Sequence, residues 1–361
     1  VLITAIAFIV VLGVLVLFHE FGHFITAKLS GVKVLEFSIG FPPRIFSVKK
    51  GETKYTVGAF PLGGYVQMLG ENEESKDKRA FNTQPPGKRF LISVAGVVMN
   101  IILAWLIFSI GFMVGMTPLA TPADKLGGTV RTEVAVADVL AGSPAAQGGL
   151  TQKDVLLSAN AGGQSQIFIS VQSLIDFNTA HKGQSVVYLI KRNGANKEVS
   201  VNLKNTEQSQ LGISIVDQTK VKVAWYKAPL AGLKETYNVT ALTFKMLGQL
   251  FAKLFSTGQV SEDVGGPVKI YMYTGLAVKA GFVVFLQFIG MLSVSLALFN
   301  ILPIPALDGS KMVFILLEKI AGKKVLKESV ENIVHTIGFA LLIILILAIT
   351  YKDIVGIFFH K

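Results

Sequence analysis

The sequence predicts a polytopic α-helical membrane protein of about four transmembrane helices, with a β-hairpin region on the cytoplasmic side and one inserted α+β domain. Three observations carry this reading. Of 361 residues, 51% are hydrophobic and only 16% charged, and the mean hydropathy is +0.56, too apolar for an ordinary soluble enzyme. Four apolar runs each supply most of the ~20 residues that a helix needs to cross a bilayer. Between the second and third runs, short strand patterns alternate with Gly-rich turns.

The first run, Val1 to Lys28, carries His19-Glu20-Phe21-Gly22-His23. On a helix this spacing sets two imidazoles one turn apart on one face, with the glutamate beside them. That suits a tetrahedral zinc ion, with Glu20 free to act as a base. Its place in lipid-soluble sequence points to hydrolysis within the membrane. The run exceeds a signal-peptide core and lacks a small-residue cleavage site, so it is expected to be retained. The chain begins at Val1 without a methionine, and a residue or two is expected to be missing there.

The loop that follows holds the stretch Lys54 to Met68, whose Gly and Pro content argues against helix and for a hairpin. Glu71 to Arg79 reads as a solvated, mixed-charge turn. The second run, Phe90 to Met116, contains Gly96 and Asn100. The third, Gly281 to Ile304, contains Gln287 and Asn300; polar groups at such depth face the bundle interior. The fourth runs from His335 to Thr350 and can continue to Phe359. Lysines and arginines crowd the loops between runs one and two and between three and four, which places both loops in the cytoplasm. The segment from Thr117 to Ala280 and both termini are then extracytoplasmic. Within it, Ser185–Ile190 and Glu198–Leu203 read as strands joined at Arg192-Asn193-Gly194. Ala228 to Phe255 reads as an amphipathic helix that can pack on the core or, the favoured alternative, lie at the membrane surface or bundle edge.

The net charge of +11 raises nucleic acid as a partner, but the basic residues flank the apolar runs, so no nucleic acid is expected. With no cysteine, disulfides and thiolate ligands are excluded, and any metal must use His and carboxylate. A hydrolytic zinc site needs a third ligand and an open position. His181, His335, His360 and Asp308 are the candidates. Depth selects Asp308. At 1.5 Å per residue His19 lies roughly 27 Å along the first run, and Asp308 lies a similar distance beyond Gly281. Pro303 and Pro305 break the helix beside it. The backbone they free can pair with an unwound substrate, as can the Gly-rich stretch Tyr55 to Met68, although a plain surface hairpin explains that stretch nearly as well.

Together these residues resemble the site-2 protease family of intramembrane zinc metalloproteases, in its bacterial single-PDZ branch. The pair formed by HExxH at His19–His23 and Asn300…Leu307-Asp308-Gly309 carries the likeness, which covers nearly the whole chain. The resemblance implies His19, His23 and Asp308 as Zn2+ ligands, Glu20 as general base and Asn300 as a substrate-positioning residue. Pro303, Pro305, Gly63, Gly64 and Tyr65 are the further substrate-binding candidates, the last three in Pro61-Leu62-Gly63-Gly64-Tyr65-Val66, which looks like the family's re-entrant hairpin. Gly40-Phe41-Pro42-Pro43 and Ala95-Gly96-Val97-Val98-Met99-Asn100 are looser matches, the latter without the usual proline. Val264-Gly265-Gly266-Pro267-Val268 is similar to a further family segment. Gly142-Ser143-Pro144-Ala145-Ala146…Gly149-Leu150…Asp154 resembles a PDZ core, with Lys153 in place of a glycine, and Leu211-Gly212-Ile213 resembles its peptide groove.

The expected organisation is a first membrane half at 1–116, an extracytoplasmic PDZ domain at 117–220, an amphipathic return segment at 221–280 and a second membrane half at 281–361. The expected activity is regulated intramembrane proteolysis in a bacterial plasma membrane. The expected partners are the lipid bilayer and single-span proteins already shortened by another protease, of the anti-sigma-factor or signal-peptide-remnant type, with the PDZ domain as a filter. Two other readings stay open. One is a membrane zinc protease of another family acting on misfolded chains, with Glu36 as the nearby downstream ligand. The other is a PDZ-bearing adaptor without activity.

Overall fold

A computed structural model describes the chain except residues 72, 193, 207–210, 259–264, 324–327 and 360–361. Asn193, Val264 and His360, raised above, lie outside the described residues. The chain folds as two compact units: residues 1–111 with 228–361, and residues 112–227.

Helix α1 (Leu2–Leu29) opens the first unit and buries a stripe of Val11, Leu15, His19, Gly22 and His23. Strands β1 (Val34–Lys50) and β2 (Thr53–Met68) follow, closing on each other at Gly51-Glu52. Here the structure corrects the sequence reading. The two ends of 54–68 do not pair with each other. Ser38 pairs with Tyr65 on one side and Thr56 on the other, so residues 36–39 lie between both arms of β2. Tyr55 and Val66 both align with Phe37. Local Gly and Pro content signals bending but does not say which segment enters the bend.

Helix α2 (Pro86–Val114) starts with its proline at the helix edge, where a missing N–H costs nothing. It begins four residues before the sequence expects, taking Lys88 and Arg89 into the helix. Arg89 is buried and pairs with Glu318. Val11, Leu15, Leu103, Ile107 and Ile289 form one apolar cluster within the helices. Lipid offers no less apolar a medium than such a cluster, so close backbone approach holds the helices together. Gly22 is one such point, since a Cβ there would stand 2.3 Å from the Ala95 carbonyl oxygen.

Among its described residues the second unit has a six-stranded sheet and two short α-helices. Its strands are β3 (Thr129–Val139), β4 (Val155–Ala161), β5 (Gln164–Ile167), β6 (Ser185–Arg192), β7 (Ala195–Asn202) and β8 (Ile213–Lys222), in the order β7-β6-β4-β3-β8 with β5 on β4. Helix α3 (Pro144–Gly148) is capped by Ser143, whose hydroxyl accepts from the Ala146 N–H, and stopped by left-handed Gly149. Helix α4 (Val171–Ala180) has a reciprocal cap between Ser170 and Ser173. Val134, Leu156, Leu174, Tyr188 and Ile190 belong to one apolar core. Lys153 adopts φ 75°, the left-handed conformation that a glycine takes without strain.

The first unit resumes with α5 (Ala228–Thr257), α6 (Pro267–Ala280), α7 (Phe282–Ile301), α8 (Asp308–Ala321) and α9 (Glu328–Phe359). On α5 the stripe Leu230, Leu233, Tyr237, Leu242 and Met246 is exposed, while Ala228, Ala231, Val239 and Leu247 pack inward. Helix α7 stops at Ile301, earlier than expected, because Leu302 is extended ahead of Pro303. Among the described residues, four helices are long and apolar enough to cross a membrane: α1, α2, α7 and the Ile333–Gly356 part of α9. The apolar window of α2 is 44% buried and that of α9 only 6%, so α2 is enclosed by protein and α9 is peripheral.

In the second unit Asp154 is wholly buried and receives Arg192 Nε at 2.7 Å, Arg192 Nη2 at 2.6 Å and the Thr151 N–H at 2.8 Å. Burial pushes its carboxyl up, but the bonds from Arg192 and Thr151 outweigh this and hold it below the usual range. Because the folded state favours the charged form, this contribution is complete above the ordinary carboxylate range and is lost as pH falls through the folded value. Asp154→Asn should cost the unit about 2–3 kcal/mol, less than a fully buried pair because Arg192 is partly exposed. Hydrogen exchange of the full chain should show protection of the β4 and β6 amides falling about 100-fold. Unchanged protection would remove this pair from the stabilising set.

Candidate metal centre

His19 and His23 lie one turn apart on the buried stripe of α1 and face α2. Room for them comes from Gly96: a Cβ there would stand 2.4 Å from His23 Nε2 and 2.6 Å from His19 Cε1. Asp308 arrives from the far end of the sequence. Between α7 and α8 the chain makes a short irregular loop in which Ala306 takes φ 78° and its N–H donates to His335 Nδ1 at 3.1 Å. Asp308 then opens α8, where the helix dipole favours a carboxylate.

The three side chains converge. His19 Nε2 and His23 Nε2 lie 2.9 and 3.1 Å from Asp308 Oδ2, and 3.2 Å from each other. Four ligands around zinc at bonds of ~2.0–2.1 Å stand about 3.3 Å apart. His23 Nδ1 donates to the Ile92 carbonyl at 2.8 Å, which leaves its Nε2 an acceptor facing a carboxylate and a second imidazole. Acceptors so crowded are reconciled by a cation, and the donor set fits a divalent ion of the zinc type. Among the described residues this is the one His/Asp/Glu group of that geometry.

Glu20, His23 and Asp308 line a cavity of ≈ 160 Å³ together with Tyr65, Glu71 and Lys311. Tyr65, Val66 and Met68 of β2 form one wall; Gly64 is not part of the lining but would meet Glu20 Cγ at 3.5 Å if it carried a Cβ. Lys311 donates to Glu71 at 2.7 Å. Burial disfavours the Lys311 ammonium, yet Glu71 more than compensates and raises its pKa. Glu71 therefore belongs to the cavity wall, whereas the sequence placed it in a solvated turn.

The remaining candidates sit elsewhere. Asn300 is on the last turn of α7, Pro303 and Pro305 are in the following loop, and Gly63 lies against the Phe41 ring; none of the four lines the cavity. Glu36 accepts from Thr56, Tyr65 and Arg44, so its carboxylate is already engaged away from the histidines. His181 is buried in the second unit with Nδ1 on the Phe177 carbonyl. Leu211 and Gly212 meet the start of α3 through the Ala145 N–H and Ser143, and Ile213 begins β8. Sequence reasoning missed Lys311 and Glu71. Lys311 had a readable signal, lying three residues after Asp308 on the same helix face.

A His-His-Asp set with a glutamate beside it, in a chain with four long apolar helices among its described residues, defines a class, the membrane metallohydrolases. Comparison with known proteins narrows it. The profile of peptidase family M50 matches residues 7–345. The chain is 38% identical over 356 residues to a Clostridium acetobutylicum protein that carries the class name zinc metalloprotease, covering 96% of each. It is 30% identical to the zinc metalloprotease RasP of Oceanobacillus iheyensis, covering 98% of this chain and 99% of that one. RasP of Geobacillus kaustophilus is likewise 30% identical, over 97% of both. The chain belongs to peptidase family M50, the site-2 protease family, and is a zinc metalloprotease of the membrane.

Gly96→Ala should drive the new methyl group into both imidazoles. Purified protein should hold well under half the zinc of the unaltered chain and lose activity in proportion, with its helical content retained. Full zinc content in this variant would mean that the helices separate freely at this point.

Proposed function

We propose that this protease cuts single membrane-spanning segments within the bilayer, with His19, His23 and Asp308 holding one zinc ion and Glu20 as the general base. The observation that carries the proposal is the meeting of those three side chains beside Glu20, with His19, Glu20 and His23 on a helix long and apolar enough to span a membrane and Asp308 at the start of α8. Zinc, when bound, supplies a Lewis acid that acidifies water and polarises a peptide carbonyl. Glu20 takes the proton from the attacking water on a carboxylate oxygen and returns it to the leaving amine nitrogen. The strand at Gly63, Gly64 and Tyr65 and the loop at Pro303 and Pro305 present backbone to an unwound substrate, and Asn300 positions it. An amide bond inside a helix is sheltered by its own hydrogen bonds, so the substrate must enter extended.

The second unit acts as a PDZ domain. In support, β8 lies at the end of the sheet; Met116 bridges its far end at Val221, while the Ile213 end beside Leu211-Gly212 pairs, among the described residues, with β3 alone and can take an added strand. It filters substrates that another protease has already shortened, of the anti-sigma-factor or signal-peptide-remnant type. The membrane is a bacterial plasma membrane. The basic loops support an orientation with the metal near the cytoplasmic side and the PDZ domain outside. Externally added protease should digest the 112–227 unit in sealed right-side-out vesicles, and a protected unit would reverse this orientation.

The central test is Glu20→Gln in a reconstituted system with a single-span substrate. Glutamine keeps the shape but cannot take a proton. Cleavage should fall by at least the ~10²–10⁴ typical of general acid–base assistance, with zinc content unchanged. Asp308→Ala, by contrast, should lose zinc as well, whereas Glu36→Ala should keep it. Near-normal cleavage by zinc-loaded Glu20→Gln would sink the mechanism.

A further inference from the structure

Both histidines turn their Nε2 atoms toward Asp308, so both depend on what holds their Nδ1 atoms. For His23 the partner is the Ile92 carbonyl on α2, at 2.8 Å. For His19 it is the side chain of Asn100, two turns further along α2 and wholly buried. As placed, the Asn100 amide nitrogen faces His19 Nδ1 at 3.3 Å, while the amide oxygen is buried with no hydrogen-bond partner.

A neutral imidazole that offers its Nε2 lone pair to a metal carries its proton on Nδ1. An NH2 group facing that proton sets donor against donor. Carboxamide oxygen and nitrogen have nearly the same shape, and their assignment follows from the hydrogen-bond partners. Turning the amide over brings the partnerless oxygen to His19 Nδ1–H and gives both histidines one arrangement: Nδ1–H donating to an oxygen on α2, Nε2 free. The backbone at this residue is also fixed, because Ser293 on α7 donates its hydroxyl to the Asn100 carbonyl at 2.7 Å, with Ser293 itself fully buried.

We propose that Asn100 is a positioning residue of the metal centre: its side-chain oxygen accepts the His19 Nδ1 proton and so fixes the tautomer and ring orientation that let His19 bind zinc. This rests on His19 being a zinc ligand. An acceptor behind a ligating imidazole commonly sets metal affinity, and its removal costs about 10–100-fold. Asn100 never touches the substrate in this account. It acts only through His19.

The test compares two variants of similar size in the full-length protein. Asn100→Asp keeps an acceptor and removes the donor; Asn100→Leu keeps the volume and removes both. Zinc affinity is read by competition with a chromophoric chelator, and ligand geometry by the visible spectrum of the cobalt(II)-loaded protein. Asn100→Leu should bind zinc about 10–100-fold more weakly and shift the cobalt bands, and Asn100→Asp should stay within a few-fold of the unaltered chain. An Asn100→Leu protein with unchanged zinc affinity, or an Asn100→Asp protein as impaired as the leucine variant, would overturn the proposal. Should the leucine variant fail to fold, 15N-histidine spectra of the unaltered zinc-loaded protein decide, because a His19 protonated at Nε2 contradicts it. His19→Ala serves as the control. If it keeps full zinc, the ligand assignment itself fails; if it loses zinc while Asn100→Leu does not, only the role of Asn100 fails.

Discussion

Polar groups inside a membrane protein must find partners inside the protein, and in this chain nearly every feature of the first unit serves that requirement at one point. Three donor atoms from residues 19, 23 and 308 stand about 3 Å apart. They can do so only because α1 and α2 touch backbone to backbone at Gly22 and Ala95, and because Gly96 leaves the space that the imidazoles fill. The same contact aligns Ile92 and Asn100 behind the rings. Helix α2, the most enclosed of the four apolar helices, supplies none of the three converging atoms and yet contacts both imidazoles from behind.

The third donor reaches this point by a different device. Asp308 follows a loop in which Leu302 is extended, Ala306 is left-handed and His335 of α9 accepts the Ala306 N–H. Backbone of that kind tolerates hydrocarbon depth only where protein covers it. Gly338 of α9 packs onto Pro305, so a helix that is otherwise peripheral covers the one irregular stretch next to Asp308.

Much of this was legible in the sequence, for identifiable reasons. Two histidines four apart in an apolar run can lie only on one helical face, and without cysteine few third ligands remain. Proline at 303 announced the end of α7. The β-rich region was less readable. Glycine and proline mark bends, but the placement of residues 36–39 between the two arms of β2 is a matter of long-range register, which alternation over a few residues does not encode. Asn100 was visible as a polar residue in a span, with no local sign of which group it would meet. Glu71 sat in a run of charges that looked solvated, and only the partnership with Lys311 places it at the cavity. Pairings between distant segments are where a single sequence says least.

The ionic lining of the cavity bears on where the second reactant is kept. Peptide hydrolysis consumes one water molecule per bond, and the hydrocarbon around the helices is a poor source of it. A space of ≈ 160 Å³ is enough for several waters, and Glu20, Glu71, Lys311 and Asp308 give them groups to bind. An apolar cavity of that size would stay dry. The Lys311–Glu71 pair thus does more than join α8 to the chain segment that follows β2: it gives the space beside Glu20 and Asp308 the charged groups with which water can be held there.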